Sequence, residues 1–184
     1  MKMEHVDTVT TPLWYALRDL SRSHSKNPAY RILSDEGFEV FTPMTQRLFM
    51  ENGRQASRKV PFLPDLLFVH EARERLDVAV ERVKNLQYRF VRGGYRLPIT
   101  VPDKEMEDFI RAVASSDEPR YFHPEEITPR MLGKRVRVIG GGLDGYEGRL
   151  LSARGSKRRW LLVKIPTFLT AAVEVCPDLI EIVE

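Results

Sequence analysis

Apolar positions follow two different rhythms along this chain, and the rhythm changes near residue 130. Before that point, short extended runs alternate with stretches of helical spacing; beyond it, no helical period remains. Residues 1–12 are polar, lack periodicity and end in Thr10-Thr11-Pro12, which predicts a loose tail. Trp14 to Leu17 form a short apolar strand closed by Arg18-Asp19. Asn27-Pro28 suits a helix start, Tyr30, Ile32 and Leu33 supply its inner face, and Gly37 ends it. Strand pattern resumes over Phe38 to Met44 and continues past a bend at Pro43. Asn52-Gly53, inside the polar and basic tract 51–59, predicts a hairpin.

The densest apolar run is VPFLPDLLFV, residues 60–69. Pro61 and Pro64 cannot donate to a sheet ladder, so its first half belongs at an edge or in an entry loop, and Leu66 to His70 reads as a strand with apolar residues on both faces. One face can pack on the domain's own helices. Phe62, Leu63, Leu66 and Phe68 are then either further core or a patch offered to another protein.

Residues 71–86 carry Leu76, Ala79, Val80 and Val83 at helical spacing, with Arg73, Arg75, Arg82 and Lys84 mostly outside that stripe. Residues 88–101 read as a strand, a Gly93-Gly94 turn and a short extended piece. Asp103, Glu105 and Glu107 then open a helix to about Ser115, with Met106, Phe109, Ile110 and Val113 inward. The order β-α-β-β-α-β with a closing helix is that of a ferredoxin-like α/β sandwich. A proline-spaced polar stretch follows, and then five short strand patterns in about fifty residues, the texture of a small β-barrel. The expected fold class is α+β.

Composition narrows the function only slightly. The net charge is +3 and the pI about 9.1, which permits contact with nucleic acid without requiring it. The single Cys176 and four scattered histidines show no zinc-site spacing, so no metal or cofactor is expected. Without an apolar run of about 18 residues or a signal-peptide pattern, a cytoplasmic protein that contacts no membrane is the expectation. Gly140-Gly141-Gly142 lacks dinucleotide-fingerprint spacing, Gly133-Lys134-Arg135 lacks the remainder of a phosphate loop, and no Ser or Cys stands in a nucleophile motif. An enzyme is not expected.

Several stretches, taken in order, resemble the NusG family of transcription elongation factors. They are Trp14-Tyr15, FEVFTPM (38–44), PFLPDLLFV (61–69), FVRGG (90–94), PITVPDKEME (98–107) and GKRVRVIGGGLDGYEGRL (133–150), the last similar to a KOW signature. The resemblance implies a tail at 1–12, an N-terminal (NGN) domain over 13–116, a linker at 117–131 and an SH3-like five-stranded KOW barrel over 132–184. Within the family, the pattern is similar to the specialised RfaH and UpxY types, which suppress pausing and termination on particular operons, often those for surface polysaccharides.

The same resemblance implies the contacts. Trp14, Phe62, Leu63, Pro64, Leu66 and Phe68 would bind the clamp helices of the largest RNA polymerase subunit. Arg18, Arg22, Arg89, Arg92 and Arg96 would touch the non-template DNA strand, and Ile165 and Phe168 a KOW partner such as ribosomal protein S10 or Rho. A monomer is expected. Two positions depart from the family: acidic Asp65 borders the apolar patch, and Asp77-Val78-Ala79 stands where RfaH types carry a His-Thr-Thr element. A general RNA-binding or ribosome-associated KOW protein is the alternative, and it leaves segment 60–69 unexplained.

Overall fold

A computed structural model describes residues 10–22, 25–152, 155 and 157–183. Apart from residues 10–12, the expected N-terminal tail lies outside them. The chain divides into two compact units that part between Val101 and Pro102.

In the first unit, β1 (Leu13–Asp19), β2 (Glu39–Phe41), β5 (Leu67–Glu71) and β6 (Leu86–Tyr88) form an antiparallel sheet in the order β2-β5-β1-β6. The short β7 (Thr100–Val101) also pairs with β1, beside Trp14 and Tyr15. Helices α1 (Ala29–Asp35) and α2 (Arg73–Arg82) connect these strands, giving the expected split β-α-β sandwich. Tyr15 and Leu17 of β1 and Leu67 and Val69 of β5 alternate onto one face, where they join Leu33, Leu76, Ala79 and Leu86 in the core. Burial of each large apolar side chain there contributes about 1.5–3 kcal/mol.

Between β2 and β5 the chain leaves the sheet as a separate two-stranded ribbon of β3 (Met44–Glu51) and β4 (Arg54–Pro61). Asn52 and Gly53 both take positive φ, 49° and 76°, the geometry that the Asn-Gly pair predicts for a two-residue hairpin turn. Asp19 anchors the start of α1: its carboxylate accepts the amides of Ala29 (2.7 Å) and Ser21 (2.8 Å).

The second unit contains α3 (Asp103–Ala114) and a six-stranded antiparallel sheet. Its strands are β8 (Arg120–Phe122), β9 (Leu132–Val138), β10 (Glu147–Leu151), β11 (Arg159–Ile165), β12 (Leu169–Val175) and β13 (Ile180–Ile182), in the order β13-β9-β10-β11-β12-β8. The five strands expected after residue 132 are all present. Two features add to the expected picture. The helix expected to close the first domain lies against β11 and β12, and the expected linker supplies β8, which pairs with β12 from Arg120 to Phe122. Phe122 and Ile127 pack on Trp160, Leu162 and Ala172, so this polar stretch is held by the few apolar groups it contains. Among the described residues, no helix is long and apolar enough to cross a membrane.

Candidate functional site

Segment 60–69 enters the sheet through a tight turn. The Phe62 amide donates to the Pro43 carbonyl (2.7 Å), the Leu66 amide to the Leu63 carbonyl (3.1 Å), and the Thr42 hydroxyl to the Leu66 carbonyl (3.0 Å). Both prolines thus sit where the ladder asks nothing of them: Pro61 at the end of β4, Pro64 in the turn.

Beyond the turn, register decides direction. Trp14 lies opposite His70, Ala16 opposite Phe68, and Phe41 opposite Phe68 from the other side, so these residues share the face turned away from α1 and α2. The Trp14 and His70 rings stack at 5.1 Å, Phe41 and Phe68 stand 6.5 Å apart, and His70 Nδ1 is 2.8 Å from Glu39 Oε2. The six residues expected to meet polymerase are not equally accessible. Trp14 and Leu66 are 3 % exposed and Phe68 0 %, whereas Phe62 and Leu63 are half-buried and Pro64 is exposed.

The five arginines expected at DNA fall in three places. Arg89 donates to the carboxylate of Asp65 at 2.9 Å and to its carbonyl at 3.1 Å, while Arg18 lies 3.9 Å from the same carboxylate. The acidic residue that departs from the family pattern is therefore matched by two of the candidate arginines. Arg89 Nε is buried and has no hydrogen-bond partner among the described residues. Arg92 and Arg96 stand exposed in the loop after β6, with the Arg96 guanidinium 5.8 Å from the centre of the exposed Tyr95 ring. Arg22 lines a separate recess of about 410 Å³ against the ribbon.

Asp77, in the place of the His-Thr-Thr element, has an internal role. It accepts from Arg73 Nε (2.8 Å) and from the Tyr88 hydroxyl (2.7 Å). Burial, reinforced by this acceptor, pushes the Tyr88 phenol well above its ordinary range.

In the second unit a groove of about 620 Å³ is lined by Ile127, Tyr146, Arg149, Ile165, Pro166 and Thr167 among others. Ile165 reaches it although only 1 % exposed; Phe168 is half-buried in the β11–β12 turn and is not part of the lining. Tyr146 escaped the sequence reading, and the signal for it was Gly148 inside a strand. A Cβ on Gly148 would stand 2.8 Å from Tyr146 Cε1, 3.0 Å from Leu161 Cδ1 and 3.1 Å from the Leu162 carbonyl oxygen. Glu147 beside it is held below the usual carboxylate range by hydrogen bonds from Arg137, with Arg135 adding to the effect. Among the described residues, no group of three or more His, Cys, Asp or Glu could hold a metal ion.

Comparison with known proteins places these features in context. No curated protein matches the chain. A solved structure titled "Domain interaction in Thermotoga maritima NusG" is similar over 95 % of this chain and 98 % of that one, at 17 % identity and a TM-score of 0.48. The family model described as "Transcription termination factor nusG" matches residues 12–110, more than half of the chain, and continues past Val101 into α3. On the strength of that match, the chain belongs to the NusG family of transcription factors.

Proposed function

We propose that this protein is an elongation factor that binds RNA polymerase through its first unit and suppresses pausing and termination. Its targets on this reading are particular operons, such as those for surface polysaccharides. The observation that carries it is the apolar sheet face of Trp14, Ala16, Phe41 and Phe68, preceded in the chain by the accessible turn of Phe62, Leu63 and Pro64, within the stretch that matches the family. A tip of the polymerase clamp helices would meet the accessible turn first, and full engagement requires Trp14, Leu66 and Phe68 to be uncovered. A few such aromatic and aliphatic anchors carry most of the energy of an interface. Holding the clamp closed biases polymerase against its paused state, a population shift without bond chemistry.

Arg92 and Arg96 are the arginines best placed for the non-template strand, because Arg18 and Arg89 are engaged by Asp65. The groove around Ile165 and Tyr146 is the proposed seat for ribosomal protein S10 or Rho. The test is retention of purified RNA polymerase by immobilised full-length protein. Phe62→Asp combined with Leu63→Asp, both partly exposed positions, is expected to keep the far-UV circular dichroism spectrum and lose at least tenfold in retention. Retention within twofold of wild type removes this docking surface. RNA capture without polymerase would instead favour the RNA-binding alternative.

A further inference from the structure

Strand β3 of the ribbon is an open sheet edge. It pairs with β4 and with no other strand among the described residues, and the consecutive residues Gln46 to Met50 are all exposed, Leu48 by 70 % and Met50 by 68 %. An unpaired edge offers its N–H and C=O groups to another strand, and proteins blunt such edges with Lys, Pro or a bulge. Here β3 holds neither Lys nor Pro, and its pairing with β4 runs unbroken from Met44 to Glu51. The two-residue turn makes Glu51 and Arg54 a hydrogen-bonded pair. Alternation along the ladder then directs the backbone groups of Gln46, Leu48 and Met50 outward from the free edge.

The side chains along this edge complement themselves. Over 47–51 the strand reads Arg-Leu-Phe-Met-Glu, with opposite charges flanking three apolar groups. An antiparallel copy centred on Phe49 sets Arg47 opposite the second copy's Glu51, Leu48 opposite its Met50, and Phe49 opposite Phe49. In that register Leu48 and Met50, whose backbone groups point outward, occupy the hydrogen-bonded pairs; a shift of one residue would bring inward-directed groups to the new ladder. The surroundings of Arg47 also call for a carboxylate. It lies directly opposite Arg58 and lines the recess of about 410 Å³ with Arg22, Arg31, Arg58 and Lys59, where the one carboxylate, Asp19, already accepts two backbone amides. Glu51 of an incoming copy, its Oε1 paired with its own Arg58, brings Oε2 to Arg47. Strand β4 lacks this symmetry: its charges, Arg54, Arg58 and Lys59, are all positive, so self-pairing there would oppose like charges.

We infer that the ribbon docks on the ribbon of a second copy of this chain, β3 against β3 in antiparallel register about Phe49, to form a four-stranded sheet with two-fold symmetry. Each contact then occurs twice, as in any isologous interface. One face gathers Leu48 and Met50 from both copies, and the other places the two Phe49 side chains between the paired charges. The contact is small beside a standard interface of about 1,600 Å², so the affinity is roughly micromolar or weaker and dilute protein is monomeric. Nothing in this assignment depends on polymerase, and its test contains none.

The test is sedimentation velocity of full-length protein from about 5 µM to about 500 µM, over which mass action should carry it from monomer toward dimer. Arg47→Glu and Glu51→Arg, taken singly, oppose like charges across the symmetry axis, and each should weaken self-association about tenfold or more. An equimolar mixture of these two variants has opposite signs at both 47–51 pairs again and should recover the dimer. In a Cys176→Ser background, which removes the exposed native thiol, Phe49→Cys should give a disulfide-linked dimer on oxidation with diamide and Gln46→Cys should not, because only position 49 meets itself on the axis. Each variant is checked for an unchanged thermal midpoint. A protein that stays monomeric throughout, or self-association untouched in both charge variants, overturns the interface. A mixture that fails to recover the dimer, or cross-linking at 46 in place of 49, overturns the register and with it the proposal.

Discussion

Asp65 shows what a single residue can mean before and after folding. In the sequence it is an acidic intrusion beside an apolar segment; in the structure it is the partner of Arg89, 24 positions away, with Arg18 nearby. Spacing cannot announce such a pair, because the turn at 63–66 and the start of the loop after β6 meet only when the sheet forms. Gly148 is the opposite case, a residue whose isolation inside a strand already signalled close packing. Gly148→Ala is expected to destabilise the protein by about 1–3 kcal/mol, since the added methyl meets a backbone carbonyl as well as two side chains. Urea denaturation followed by circular dichroism reads this directly, and a change below about 0.5 kcal/mol would mean that the pocket relaxes freely. Tyr146, its neighbour, has a phenol pushed up to about 12, chiefly by burial, with Asp108 and Glu105 adding to the effect. An unfolded tyrosine titrates near 10. The stability that Tyr146 contributes is therefore fully present below about pH 10 and is lost as the pH climbs toward 12, roughly 2 kcal/mol in all. Tyr146→Phe should flatten the fall of the denaturation midpoint over that window, and an unaltered fall would place the cause elsewhere.

At the scale of elements, local chemistry was the reliable guide. The Asn52-Gly53 hairpin, the acidic first turn of α3 at Asp103 and Glu105, and the strands β9 to β13 all follow from propensity and alternation. What periodicity could not say is which sheet a helix would cover. Helix α3 has a well-defined apolar stripe, with Met106, Phe109 and Ala112 fully buried, and within the second unit it lies on β11 and β12. An amphipathic face specifies that something apolar is covered, not what. If α3 belongs energetically to the second unit, Val163→Ala, at a position with no exposure, should cost roughly 2 kcal/mol and speed amide hydrogen exchange in α3 together with β11 and β12. Faster exchange in α1 and α2 with α3 unchanged would count against it.

For the molecule as a whole, two β-containing units of different construction were legible from the shift in rhythm near residue 130, although the structural division falls earlier, between Val101 and Pro102. The candidate docking segment was legible too, because a run as apolar as 60–69 interrupted by two prolines stands out in a chain of 30 % charged residues. Its exposure was not. Trp14, Leu66 and Phe68 are buried while Phe62, Leu63 and Pro64 remain reachable, a difference of register and turn geometry that composition does not carry.

By itself, then, the order of residues determined the elements, the hairpin, the two textures and the family, because each rests on contacts between near neighbours or on motifs read in sequence. Only the tertiary structure decided the partners of Asp65, the seat of α3 and the gathering of Arg22, Arg31, Arg47, Arg58 and Lys59 around one recess. Those depend on side chains brought together from distant positions, where the balance between charge, burial and packing is set by the fold and by no local pattern.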